Sequence, residues 1–483
     1  MLGKKINGNP LDNAFLKDLE GREYHSAQEK AGLILEAFSR NFSTLIPNND
    51  FYETAISTSI ASPTPNAFNS VITLAEINYC LKKLKNTSMG IDLIHNKMLM
   101  RLSAVNKFYL CHLFNILFSH TYVPEKWKQA IIAPLLKSRK VAENPISYRP
   151  VALTSCLGKL FERVVSSRLD WFIESKGILH NSQAGFRRKR NTTDHIVQLE
   201  LDVKEGFSKK ESTVAVYLDI SKAYDCVWIQ GLLFKLSSIG VNGRLLGWIN
   251  NFLTGRVLCV RVGSHLSEFR DVKTGVPQGA VLSPLLFNVM LYDFPSFPSL
   301  IKKLLFADDI TIYVAVKKPI QAESILQPCL EKISLWGRRW KFRFSGEKSV
   351  AMVFTRARDP GDDPLLFISG QRIRTVPHFT LLGIVFDYKM QWRHHIAEVT
   401  ASCSRLKNLF SIIAKTRYGP SIRTLVTLFK SLVQSKIDYG SIAYGAASKS
   451  SIERINVAAD PSSESSWGHE RPPQLRSSTP RQA

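Results

Sequence analysis

At 483 residues the chain is too long for one compact core, so two to four domains or subdomains are expected. Its 45% hydrophobic and 22% charged residues are those of a globular protein, and no apolar run reaches the length of a membrane span. Lysine and arginine total 64 against 40 acids, a net charge of +24 that exceeds what solubility needs and points to a polyanionic partner, with nucleic acid preferred to an acidic membrane surface.

The start, Met1-Leu2-Gly3-Lys4-Lys5, has no apolar stretch like a signal peptide. An intracellular protein is expected, in the nucleus, the cytoplasm or both. Cysteines stand at Cys80, Cys111, Cys156, Cys226, Cys259, Cys329 and Cys403. They are odd in number, widely spaced and free of any C-x-x-C. That predicts free thiols with no disulfide partner and argues against a zinc site.

In chain order, Ala31, Ile34, Leu35 and Phe38 share one stripe of a helix over 26–42. Ser62-Pro63-Thr64-Pro65-Asn66 reads as a linker. Thr73-Leu74-Ala75-Glu76 has capping-box spacing and starts a helix through Leu84, which ends in the turn-like Asn86-Thr87-Ser88-Met89-Gly90. Residues 105–200 mix helix and strand and are rich in Arg and Lys. Within them Pro145-Ile146-Ser147-Tyr148-Arg149-Pro150 stands out, and so does Gln183-Ala184-Gly185-Phe186-Arg187-Arg188-Lys189-Arg190. The cation run reads either as a solvated loop or as a contact to the phosphates of a template strand or a nucleotide.

An apolar strand over 214–219 ends on Asp219, the usual place for a catalytic group in an α/β sheet, and a helix follows through Leu236. Asp225 falls inside that helix and reads as a structural acid. Thr274-Gly275-Val276-Pro277-Gln278-Gly279-Ala280 forms a loop of close backbone approach, and Ser283-Pro284 opens a helix through Tyr292. The stretch 304–314 is two β-prone runs with Asp308 and Asp309 at their turn. Aspartate is an ordinary turn former. Here, though, apolar flanks hold two anions together at the rim of a buried sheet, and that calls for a cation.

Further on, Ala322, Ile325, Leu326, Leu330, Ile333 and Trp336 form a helical stripe interrupted by Pro328. Strands are expected over 349–355, with Lys348 at the mouth, and over 381–387. Ile396, Val399, Cys403, Leu406, Phe410 and Ile413, then Ile422, Leu425, Phe429 and Leu432, give a helical hairpin broken at Tyr418-Gly419-Pro420. It carries Arg405, Lys407, Lys415, Arg417, Arg423 and Lys430. The Ser- and Pro-rich 459–483 reads as disordered.

Asp219, Asp308 and Asp309 together make a hard-oxygen site suited to two Mg²⁺ ions about 3.5–4 Å apart, with Mn²⁺ as a substitute. Such a site activates a primer 3′-hydroxyl, holds a triphosphate and adds nucleotides to a growing strand.

The chain resembles the reverse transcriptase of non-LTR, LINE-type retrotransposons of the jockey kind. The resemblance rests on Gly90-Ile91-Asp92, Ser147-Tyr148-Arg149-Pro150, Gln183-Ala184-Gly185-Phe186-Arg187, Tyr217-Leu218-Asp219-Ile220-Ser221-Lys222-Ala223-Tyr224-Asp225, Gly275-Val276-Pro277-Gln278-Gly279, Phe306-Ala307-Asp308-Asp309 and Leu382-Gly383-Ile384. It implies an α+β right-hand polymerase: fingers over 73–210, a ferredoxin-like palm with an antiparallel sheet over 211–390 and a helical thumb over 391–458. The reverse transcriptase domain as a whole spans about 120–390, an extension and linker fill 1–72, and a tail fills 459–483. It further implies Asp219, Asp308, Asp309 and the Ile220 carbonyl as metal ligands, and Tyr224 as a steric gate against ribonucleotides. Gln278, with Gly279 beside it, would meet nucleotide and template, and Lys348 would lie near the leaving pyrophosphate. Arg149 and Arg187 would contact phosphate or template. The implied partners are an RNA template, in the first place the element's own RNA, a DNA primer and deoxynucleoside triphosphates, with no membrane.

Two departures shape the expectation. About 70 residues before the first motif cannot hold the endonuclease that elements of this type carry, and the basic, Leu-rich pattern stops near Ala458. A truncated copy is therefore expected, its tail read in a shifted frame. The alternatives are a relic that only binds nucleic acid and an RNA-templated RNA polymerase; Tyr224 argues against the second.

Overall fold

Strict alternation makes Ser212–Asp219 the central strand of a six-stranded sheet. Val214, Val216 and Leu218 face one apolar core, while Ala215 and Tyr217 face another. Its neighbour Asp309–Val316 splits the same way, with Ile310, Ile312 and Val314 on the first side and Tyr313 on the second. The strand order is Leu366–Ile368, Gln371–Thr375, Val350–Phe354, Ser212–Asp219, Asp309–Val316, Lys302–Phe306. Both neighbours of the central strand run antiparallel to it. The computed structural model describes residues 11, 14–42, 49–62, 66–137, 140–359, 361–414 and 419–459. Pro63-Thr64-Pro65, Lys415, Arg417, Tyr418 and the tail 460–483 lie outside them.

Helices cover both faces. Gln321–Arg339 keeps Pro328 inside it and buries Ala322, Leu326, Leu330, Ile333 and Trp336, as their spacing predicts. On the other face lie Thr192–Ser208 and the C-terminal helices Arg393–Ala414, Ile422–Phe429 and Lys449–Ala459, which contribute Ile396, Cys403, Leu425 and Ile455 to the second core.

A second sheet pairs Gln129–Leu136 antiparallel with Tyr148–Leu153 and parallel with Arg256–Val262. Here the structure departs from the expected N-terminal extension. Helix Ala27–Phe42 lays Ala31, Ile34, Leu35 and Phe38 on this sheet, against Ile132, Leu258 and Val260. Helix Asp50–Ala61 packs beside Ile229–Ser238, with the rings of Tyr52 and Phe234 4.6 Å apart. The described part of 14–62 is thus built into the body. Its stripe is that of a docked helix, and at 16 residues the helix is long enough to cover the sheet. Elsewhere local signals hold: Thr73 and Glu76 form a reciprocal capping box on Leu74–Lys82, and Pro284 opens Ser283–Met290.

Candidate active site

The acidic turn follows from strand register. Asp309 pairs directly with Asp219 across the antiparallel strands, so both carboxylates rise from one face of the sheet. Phe306 pairs with Asp309, and Ala307 between them takes a left-handed φ of 55° to close the turn that presents Asp308. Asp219 is fixed through its backbone: its N–H donates to Ser349 Oγ at 3.1 Å, and its carbonyl accepts from Ser345 N–H at 3.0 Å. Its Oδ2 is withdrawn from solvent and makes no hydrogen bond among the described residues; Lys348 Nζ stands 3.7 Å away.

Asp308 and Asp309 open to solvent at the turn, yet the packed strands strip much of the water from around them. That desolvation, with Asp219 adding repulsion and Arg149 opposing it, raises the Asp308 carboxyl above its ordinary value. Desolvation, then the charges of Asp308 and Asp219, pushes Asp309 up to about 6.

The turn opens on a cavity of about 940 Å³. Asp219, Ile220, Tyr224, Asp308 and Lys348 line one side of it. Arg149 faces them from the second sheet, together with Lys137, which the sequence reading passed over. Lys137 Nζ donates to the Ile146 carbonyl at 2.9 Å, and burial, then the charges of Lys348 and Arg149, lower its affinity for a proton. The available signal was its place just past Gln129–Leu136, at the mouth of a hairpin. Lys17, Arg22 and Arg40 complete the rim from the N-terminal segment.

Comparison with known proteins decides the family. The family described as "Reverse transcriptase (RNA-dependent DNA polymerase)" matches residues 137–386, more than half of the chain. The chain belongs to the reverse transcriptase family. It is 27% identical over 467 residues to the RNA-directed DNA polymerase from mobile element jockey of Drosophila melanogaster, covering 94% of this chain and 50% of that protein. It is 29% identical over 395 residues to the probable RNA-directed DNA polymerase from transposon BS of the same fly, covering 80% and 43%. Over 382 residues it is 28% identical to the corresponding protein from transposon X-element, covering 78% and 42%. The chain spans about half the length of the curated relatives it matches, or less. No described helix is long and apolar enough to cross a membrane.

The three carboxylates, one with an orphaned oxygen, are hard-oxygen donors of the kind a divalent cation takes. Among the described residues no three or more His, Cys, Asp or Glu side chains stand close enough together to hold a metal ion in this arrangement. The acids adjoin one another without forming a cage. All seven cysteines are free thiols, and only Cys226 is not fully buried.

Tyr224 stands in a turn before Ile229–Ser238 and not on the helix expected there. Lys222 takes a φ of 52°, and Tyr224 gives its carbonyl to Val276 N–H at 2.9 Å, so the chain enters the helix late. The Tyr224 ring stacks on Phe287 at 4.7 Å, and its hydroxyl is buried beside the cavity with no hydrogen bond among the described residues. Asp225 is buried and structural, accepting from Gln278 Nε2 at 2.7 Å. Gly279, at φ 109°, makes its close approach to the protein itself: a Cβ there would lie 2.9 Å from the Ala152 carbonyl, and Ala152 N–H donates to Gln278 O at 2.9 Å.

The cation run divides. Arg187 is 9% exposed and forks onto Glu174 with Nε–Oε1 and Nη2–Oε2 distances of 2.8 and 2.7 Å. Its Nη1 donates to the carbonyls of His180 and Gln183 at 3.1 and 3.2 Å. Arg187 is expected to contact phosphate or template; here its Nε, Nη1 and Nη2 all donate within the protein. Arg188 pairs with Asp170 at 2.8 Å from an exposed position, and Lys189 and Arg190 are exposed.

Proposed function

We propose that the chain is the RNA-directed DNA polymerase of a non-LTR retrotransposon, extending a primer 3′-hydroxyl on an RNA template. In this reading the second sheet with its N-terminal helix serves as fingers, the six-stranded sheet as palm and the C-terminal helices as thumb. The observation that carries it is the in-register pair Asp219 and Asp309, with Asp308 beside them, at the mouth of a cavity ringed by Lys348, Arg149 and Lys137.

Asp219, Asp308 and Asp309, with the Ile220 carbonyl adjoining, would hold Mg²⁺ or Mn²⁺. When bound, the ions supply acidity to the primer hydroxyl and neutralise charge on the departing pyrophosphate. The chain's own residues do the positioning. Lys348 reaches in on a flexible stem with 66% of its side chain exposed, and Arg149 and Lys137 meet a triphosphate from the facing wall. Tyr224, flat against Phe287, is the floor beneath the incoming sugar, where a 2′-hydroxyl collides. Gln278, tied to Asp225, holds the loop on which template and nucleotide meet.

The test is primer extension on an RNA template with deoxy- and ribonucleotides offered separately. Extension is expected with deoxynucleotides. Tyr224→Ala should raise the ribonucleotide-to-deoxynucleotide efficiency ratio by about tenfold or more, some 1.4 kcal/mol. An unchanged ratio in an otherwise active Tyr224→Ala enzyme would put the sugar filter elsewhere.

A further inference from the structure

Phe186 is an oddity that the cavity chemistry leaves unused. Its φ is +58°, a left-handed conformation that bulky side chains rarely adopt. The residue is 53% exposed and joins none of the three apolar cores of the described residues, so burial recovers little of that strain.

The loop around it is held from both sides. Gln183 Oε1 accepts from Gly185 N–H at 2.9 Å and from Ala307 N–H at 3.2 Å. Asn288 Nδ2 donates to the Gly185 carbonyl at 2.8 Å, and the Arg187 fork closes the other end on Glu174. Gly185 lies so tightly on the acidic turn that a Cβ would sit 2.3 Å from Ala307 N. A rigid frame thus holds a strained residue with its aromatic ring in water. Strain maintained in this way is a mark of function.

Position says which function. At one end the loop touches the turn bearing Asp308. A few residues on, Thr192 Oγ1 accepts from Tyr439 Oη at 3.0 Å, and Tyr439 belongs to the C-terminal helical region. The loop therefore bridges the acidic turn and the base of those helices. Between Phe186 and Thr192 come the exposed Arg188, Lys189 and Arg190. The helix that follows has its start closed by the reciprocal cap of Asn191 and Asp194, so the positive charge comes from side chains.

We propose that Phe186 is an apolar platform for the primer–template hybrid, packing against a backbone sugar just behind the acidic turn while Lys189 and Arg190 neutralise the adjoining phosphates. This rests on the polymerase reading above and adds to it a contact that no metal ligand or nucleotide residue supplies. A ring packed on a sugar suits an enzyme that copies any sequence, because contacts to sugar and phosphate carry no base information.

The test uses the full chain, a fluorescent RNA–DNA primer–template, and anisotropy in the absence of divalent ions and nucleotides, with a melting curve for each variant. Phe186→Asn keeps a residue that tolerates the left-handed backbone and removes the ring. It should weaken binding by about tenfold while Tm holds or rises, and Phe186→Tyr should bind like the parent. Unchanged affinity in Phe186→Asn overturns the proposal. A clear fall in its Tm also overturns it, since the ring would then be packing on the protein. Failure of the parent chain to bind the hybrid at all is a different result, which removes the polymerase reading and this contact with it.

Discussion

On the cavity side of the acidic turn Lys348 keeps 66% of its side chain in solvent, whereas behind the turn Arg187 keeps 9%. Lys348 has Asp219 as a neighbour at 3.7 Å, too far for a hydrogen bond, and swings on a flexible stem. Arg187 meets Glu174 fork to fork and adds two backbone carbonyls. A planar guanidinium that finds a carboxylate and carbonyls in its own plane is used up by the fold. A cation that stands 3.7 Å from an acid on a mostly exposed stem stays available to a ligand. Partner geometry, more than sign of charge, separates the two sides.

The largest expected effect comes from removing the acids that lie between them. Asp219→Ala or Asp308→Ala should lower extension by roughly a thousandfold or more, about 4 kcal/mol of transition-state stabilisation, while hybrid binding stays near the parent value. Extension at the parent rate by either variant would sink the metal assignment. Next, exchanging the two cations' fates tests the contrast directly. Arg187→Ala leaves Glu174 without its partner and should cost about 3 kcal/mol in stability by denaturant melting. Lys348→Ala should melt like the parent and raise KM for the nucleotide. If Arg187→Ala instead melts normally and binds nucleotide poorly, the division between the two sides is wrong.

A smaller effect separates the cations within the run. Joint replacement of Arg188, Lys189 and Arg190 by Ala should flatten the log–log salt dependence of hybrid binding by about 2 to 3 units, whereas Arg187→Ala should leave that slope alone. The smallest concerns the turn itself. Asp309, held up to about 6 against an ordinary 3.8, binds its proton more tightly folded than unfolded. The stability this contributes is complete below about pH 4 and is lost as pH rises through about 6. In chelator, Asp309→Asn should therefore lose less Tm than the parent between pH 4.5 and 7.5, by on the order of 2 °C. An equal loss in both proteins would show that neither desolvation nor the neighbouring carboxylates hold the Asp309 proton.

How much of this could be read in advance depended on where each partner lies in the chain. Asp219 at a strand end, the Asp308-Asp309 turn and the Thr73–Glu76 cap are local patterns, written within a few residues. The fate of Arg187 hangs on Glu174, which lies on the preceding helix Cys156–Ser175 and whose meeting with it only packing decides. Lys137 sits in no motif; it matters because the hairpin Gln129–Leu136 and Tyr148–Leu153 leans over the acidic turn. The helix Ala27–Phe42 was legible as a helix but not as a wall of the cavity, because its seat on Leu258 and Val260 is far along the chain. Tyr224 was placed correctly beside Asp219 but on the wrong element, since the hydrogen bond from Val276 that delays the helix is also distant in sequence.

That distant seat has a consequence for how the molecule comes into being. Helix Ala27–Phe42 leaves the ribosome long before Arg256–Val262, the strand it covers, and Gln129–Leu136 must likewise wait to pair in parallel with that same strand. Parallel pairing across so long a loop is slow to nucleate. Until Val262 is made, Ile34, Leu35 and Phe38 have only the earlier hairpin around Ile132 and Ala152 to rest on, and the rest of their seat stays open to chaperones or to wrong partners. The rim that carries Lys17, Arg22 and Arg40 therefore closes only after about half of the chain that follows it has been synthesised.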